Sequence, residues 1–127
     1  MKLFYLFFVF ISFNTEALTC VVTDEMQSED NRKYGDKLSI ETRLKESNYI
    51  VEIKLPQKID NGKIKNIALF ADSVKEPTFF APLETFEEDG NILTWYSIDS
   101  GFIRKHFIVV SFGDDCGSSI IKEVIYA

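Results

Sequence analysis

His106 is the chain's one histidine. A serine-type hydrolase sets an imidazole between a hydroxyl nucleophile and a carboxylate. Ser111, Ser118, Ser119, Asp114 and Asp115 supply both groups close by in the sequence. No Gly-x-Ser-x-Gly elbow frames any of these serines. His106 also falls inside a run read as strand, in step with Phe102, Arg104, Ile108 and Val110, whereas catalytic groups favour loops and strand ends. The expectation is therefore a structural histidine, with a small secreted hydrolase built on His106 as the alternative. The acidic knots, Glu84 to Asp89 and the pair Asp114-Asp115, lack the spacing of a calcium-binding EF-hand loop. Paired carboxylates that cleave glycosides need a sugar-sized cleft between them, for which a chain of short strands leaves little room. These acids read as solvated turn charges, and neither a metal nor a cofactor is expected.

Binding chemistry is better represented. Phe79-Phe80 stands between Pro77 and Pro82. Prolines stiffen a segment and lower the entropy lost when its side chains are held by a partner, and aromatic residues dominate interface hot spots. Trp95-Tyr96 lies in a run with strand character, so one ring points to each face of the strand. The ring on the outer face is placed to meet a glycan or a protein. Phe79, Phe80, Trp95 and Tyr96 are the candidate binding residues. Lys54, Lys58, Lys63 and Lys65 give the hairpin expected across residues 49–71 a basic tip, read as protection of a sheet edge against foreign strands.

These side chains need a compartment and a scaffold. Lys2 precedes the apolar run Leu3 to Phe13. That run is too short for a membrane span, which needs about 20 residues, and has the length and flank of a signal-peptide core. Thr15 and Ala17 place small residues at the −3 and −1 positions of a cut after Ala17. Residues 1–17 are read as a cleaved signal peptide and residues 18–127 as one domain, secreted or periplasmic. Two cysteines in an exported chain read as a disulfide, Cys20 with Cys116. Closing so long a loop contributes on the order of 4–5 kcal/mol in the chain-entropy account. Cys20 also follows the apolar core where a bacterial lipoprotein carries its acylated cysteine. The run Ala17-Leu18-Thr19-Cys20 departs from the Leu-(Ala/Ser)-(Gly/Ala)-Cys pattern at all three places before the cysteine. Membrane association is expected only if Cys20 is lipidated instead.

The chain has 127 residues, with 14 Lys and Arg against 20 Asp and Glu, a net charge of −6. That length suits one domain. The acidic balance argues against sequence-neutral binding of nucleic acid, which needs a basic surface. The segment Asp24 to Lys33 is the most polar and reads as a solvated loop with at most a helical turn. Beyond it apolar and polar residues alternate, as in Leu38, Ile40 and Leu44, and again in Tyr49, Val51, Ile53 and Leu55, the mark of half-buried strands. Asn61-Gly62 and Asp89-Gly90 punctuate the strands as turns. The run Phe102 to Phe112 reads as the longest apolar strand and Ser119 to Tyr126 as the last. About seven or eight strands and no helix predict an all-β fold, an antiparallel β-sandwich or a small barrel. The layout resembles immunoglobulin-like domains only in general, because Trp95 stands close before Cys116 rather than midway between the cysteines.

The functional expectation is an extracytoplasmic, non-catalytic binding domain of the inhibitor, immunity-factor or adaptor kind, contacting a protein or a small ligand. Besides the His106 hydrolase, the alternative is a strand-exchanging assembly subunit that uses the segment Ser119 to Tyr126.

Overall fold

The computed structural model describes residues 22–114 and 116–126. The expected signal peptide over residues 1–17, Cys20 and Asp115 lie outside the described residues.

The polar segment is a helix, α1 (Asp24–Tyr34), and not the expected loop. Thr23 caps it, its Oγ1 accepting from the amide of Met26 at 3.1 Å, which satisfies one of the donors every helix start leaves open. Asp24 and Glu25 occupy the first turn and Arg32 and Lys33 the last, each sign matching the helix dipole. No residue of α1 is buried. Hydrophobic periodicity therefore has nothing to report here; caps, charges and docking make the helix.

Among the described residues, nine strands follow a short 3-10 turn at Gly35–Lys37: β1 (Ser39–Lys45), β2 (Asn48–Pro56), β3 (Lys58–Ile59), β4 (Gly62–Ala71), β5 (Phe79–Pro82), β6 (Phe86–Glu88), β7 (Asn91–Asp99), β8 (His106–Phe112) and β9 (Ser118–Glu123). They form two antiparallel sheets. The first has the order β1-β2-β7-β6, and the second β3-β4-β8-β9 with β5 also paired to β4. The all-β expectation is met, with one helix added. Two strands are shorter than expected. Residues Ser100–Phe102 form a 3-10 turn ahead of β8, and β9 stops at Glu123.

The expected pairing of residues 49–55 with 63–71 does not form. β2 pairs with β1 and β7, and the chain changes sheets after Pro56, so that only Lys58 and Ile59 pair back onto β4. A turn forms where one was read, but its left-handed pair is Asp60 and Asn61, with φ of 48° and 64°, one residue before the expected Asn61-Gly62. Gly62 already pairs with Ile59, which gives a type I′ hairpin. Lys54 thus belongs to the first sheet, while Lys58, Lys63 and Lys65 go with the second. The Phe79–Pro82 piece is a short edge strand, where its prolines withhold no ladder bond.

Alternation sorts the core. Val51, Ile53, Leu55 and Ile92 of the first sheet share one buried cluster with Ile67, Leu69, Ile108, Val110, Phe112 and Ile120 of the second. The helix meets β9 through side chains. The amide of Gln27 donates to the carbonyl of Ser119 at 2.9 Å, the Ser119 amide donates to Asp30 at 3.3 Å, and the Ile121 amide donates to Asn31 at 2.9 Å. Lys122 closes the far end of the helix by donating to the carbonyl of Leu38 at 2.8 Å.

Gly117 makes the β8–β9 connection. Its φ is +57°, and a Cβ there would lie 2.4 Å from the Phe112 carbonyl oxygen. Gly117→Ala is expected to lose at least about 2 kcal/mol in urea unfolding. Gly35→Ala, at a helical φ of −56° with open space around it, stays neutral or gains up to about 1 kcal/mol.

Candidate functional site

His106 opens β8 facing the core and is 3% exposed. Its Nδ1 hydrogen-bonds the Tyr126 hydroxyl at 2.8 Å, and that hydroxyl lies 2.7 Å from the hydroxyl of Tyr96. Tyr126 also packs edge-on against Tyr49, ring centroids 5.2 Å apart. The terminal segment that carries it is tied down twice: Val124 donates to the His106 carbonyl at 2.9 Å, and Thr42 donates to the Ile125 carbonyl at 3.0 Å. Burial pushes the phenol of Tyr96 well above its ordinary range and raises that of Tyr126, whose bond to Tyr96 opposes the shift. Burial also lowers His106, helped by the Arg104 charge and opposed by Asp72. The His106 ring therefore meets phenols held neutral, which close one end of the core. Among the described residues, Ser111, Ser118, Ser119 and Asp114 of the hydrolase reading are not hydrogen-bond partners of its ring.

Tyr96, a candidate binding residue, thus points inward. Trp95 points the other way and is 60% exposed. Register defines what lies beside it, because residues opposite one another share a face. Glu41, Glu52 and Trp95 form one row across β1, β2 and β7. Ser39, Lys54, Leu93 and Phe86 form the next, and Arg43 and Ile50 lie on the other side. These side chains enclose an open cleft of about 640 Å³ whose lining includes Glu41, Arg43, Ile50, Lys54, Leu93 and Trp95. Its floor is apolar. Its walls carry two carboxylates and two cations. Arg43 and Glu52 form an ion pair at 2.9 Å, exposed to solvent and so of small energetic weight. Glu41 and Lys54 form no ion pair among the described residues.

Phe79 and Phe80 are 53% and 54% exposed. The ring of Phe80 packs edge-on against Phe70 at 4.9 Å, and Phe70 stands opposite Phe107, so a row of phenylalanines crosses the second sheet. Just before them Asp72 accepts from the Thr78 hydroxyl and from two nitrogens of Arg104, Nε at 3.0 Å and Nη2 at 2.7 Å. Those bonds hold its carboxyl below the usual carboxylate range, the Thr78 bond most of all. The four candidate binding residues do not form one site: Trp95 lies on the outer face of the first sheet, Phe79 and Phe80 on the second, and Tyr96 inside.

Cys116 lies exposed in the β8–β9 turn. Its proposed partner, Cys20, lies outside the described residues. Among the described residues no group of His, Cys, Asp and Glu is placed to hold a metal. Glu41, Arg43, Ile50, Glu52 and Leu93 escaped the sequence reading. Strand parity counted outward from Trp95 finds Leu93 on the same face, but the β1-β2-β7 order that brings in the rest is a property of the fold. No family model matches the chain, and no curated protein matches it.

His106 yields a pH prediction. Its native pKa lies below the ordinary 6.5, so the unfolded chain binds the extra proton first. Its contribution to stability is complete above pH 6.5 and is lost as the pH falls from there toward the native pKa. Urea midpoints of wild type and His106→Phe measured from pH 8 to pH 5 are expected to diverge below pH 6.5, with wild type losing more. A constant difference contradicts the assignment.

Proposed function

We propose that this chain is an exported, non-catalytic binding domain, a β-sandwich whose contact surface is the cleft around Trp95. The observation that carries the reading is that exposed indole, set on an apolar floor between walls of hydrogen-bonding side chains. The cleft falls within the size range of small-molecule sites, about 300–1,000 Å³. Centres of protein–protein interfaces are depleted in Glu and Lys, while this one holds Glu41, Glu52 and Lys54. Its two negative and two positive side chains balance, so it selects no net charge. An uncharged, hydroxyl-rich ligand of the saccharide class fits: its C–H face stacks on the indole and its hydroxyls meet carboxylate, ammonium and guanidinium groups. A second reading, protein contact, is favoured by Phe79 and Phe80, which present half-exposed rings on a stiffened edge.

Export is part of the proposal, through a signal peptide over residues 1–17 and a Cys20–Cys116 disulfide. Two observations support the bridge. No cysteine among the described residues is free. Val22 and Met26 line a shallow depression together with Cys116, and Cys20 is only two residues before Val22, a span of at most about 7 Å of chain. The sandwich is supported by the one core that residues of both sheets build. Against the hydrolase stand the phenolic partners of His106.

Trp95 is the one tryptophan of the chain, so its fluorescence reports this face alone. Titration of the mature protein with a panel of neutral oligosaccharides is expected to shift or quench the emission with Kd between about 10 µM and 1 mM. Glu41→Gln is expected to weaken the response several-fold. A panel that leaves both the emission and the backbone amide shifts of Ile50, Leu93 and Trp95 unmoved overturns the assignment of this face. Mass spectrometry of the exported protein is expected to give Leu18 as first residue and a mass two hydrogen atoms short of the dithiol.

A further inference from the structure

The hydrogen bonds between α1 and β9 have the pattern of a strand pairing made by a helix. In an antiparallel ladder, alternate residues of an edge strand turn both N–H and C=O outward. On β9 these are Ser119, Ile121 and Glu123, since the outward amides of Ser119 and Ile121 and the outward carbonyl of Ser119 are the groups the helix takes up. The side chains that take them are Gln27, Asp30 and Asn31, spaced i, i+3 and i+4 and so on one helix face. The Ser119 hydroxyl adds a bond to Gln27 at 2.7 Å, and Gln27 is steadied by Asn31 at 3.1 Å. Everything in this contact is polar. The hold of α1 on β9 itself rests on these few hydrogen bonds, each contributing roughly 0.5–1.5 kcal/mol net, while the last residue of the helix, Tyr34, packs edge-on against Phe112 with ring centroids 5.1 Å apart.

We infer that the outward edge of β9 is a strand-pairing surface for a second copy of this chain, held shut by the side chains of Gln27, Asp30 and Asn31. This goes beyond the binding function proposed above and does not depend on it. The occupant follows from register. A two-fold axis through Ile121 sets that residue opposite Ile121 of the partner subunit and Ser119 opposite Glu123 of the partner subunit. Every outward N–H and C=O of the strand is then paired, as a closed two-fold contact requires. The same register extends the outer-face row Ala68, Val109 and Ile121 into the identical row of the second copy, so apolar side chains meet apolar side chains across the axis. The strand-exchange alternative places its contact at this strand. In the structure that edge is occupied by the chain's own helix, a common way of keeping an exposed sheet edge from pairing.

The test removes the gripping side chains without weakening the helix. Gln27→Ala, Asp30→Ala and Asn31→Ala together substitute the best helix former at each place. Light scattering is expected to find wild type monomeric and the triple variant dimeric between about 10 µM and 1 mM. Adding Ile121→Lys, which sets two like charges opposite one another at the axis, is expected to restore the monomer. A folded triple variant that stays monomeric overturns the inference, as does a wild-type dimer under the same conditions. If the variant fails to fold, hydrogen exchange of the wild type decides. The Ser119 and Ile121 amides are expected to exchange about 100-fold faster than the core amides of β8, because release of the helix is a local opening. Equal rates overturn the inference.

Discussion

Two sheets share one core, and every other feature follows from which side of each strand faces it. On β2, Val51, Ile53 and Leu55 are buried while Glu52 and Lys54 are exposed; on β8, His106, Ile108, Val110 and Phe112 are buried in strict alternation. A slip of one residue between β2 and β7 would carry Trp95 inward and expose Tyr96, exchanging the two faces. The slip is opposed by Ile92 and Thr94, whose burial on the inner side of β7 fixes the parity. Thr94 adds a directional bond, its hydroxyl donating to the Glu84 carbonyl at 2.6 Å. The exposed position of Trp95 is thus set by the burial of its neighbours and owes nothing to its own preference.

The same core admits polar groups only where they are paired. Among the described residues, no buried side-chain nitrogen or oxygen lacks a hydrogen-bond partner. Tyr96, Tyr126 and His106 satisfy one another in a chain of three, and a buried polar chain is favourable only when complete. This gives the last residues of the strand-rich body a structural role. Tyr126 lies beyond β9, yet its ring packs on Tyr49 of the first sheet while its hydroxyl joins His106 of the second. It links the two sheets at the end of the core where β8 begins.

Much of the scaffold was legible because period-two alternation is strong in this sequence. It marked β1 and β2, while β-branched and aromatic residues marked β7 and an apolar run marked β8, and the turns at Asn61-Gly62 and Asp89-Gly90 were read from the φ angles such pairs favour. The inward and outward rings at residues 95 and 96 also follow from parity alone. Illegible were the features that depend on partners far away in the chain. α1 has no apolar stripe, and its partner strand lies some ninety residues on, as the Asn31–Ile121 bond shows. The pairing of β2 with β7 was hidden because the nearest strand in sequence after β2 offers an equally good alternation, and only the change of sheets at Pro56 removes it from competition. The cleft shares that limit, since of the three strands that build it β1 and β2 are consecutive while β7 is distant in the sequence.

The two aromatic surfaces differ in a way that bears on function. A single exposed apolar residue on a soluble protein needs no explanation, so exposure of Trp95 is not by itself an argument. What distinguishes it is contiguity: Leu93 and Ile50 continue its apolar floor, and charged side chains of both signs stand around that floor instead of covering it. On the second sheet, Phe80 rests on Phe70, and the row continues into Phe107, over whose ring the Lys105 ammonium lies at 5.7 Å. That row is partly covered by its own members. The indole of Trp95 has no ring partner among the described residues, so its face is open to stack on a ligand, and the cation and carboxylate groups beside it are positioned to hydrogen-bond that ligand's rim. The physical asymmetry between a self-packed aromatic row and an open ring with polar walls is the ground on which small-ligand binding is proposed for the first sheet.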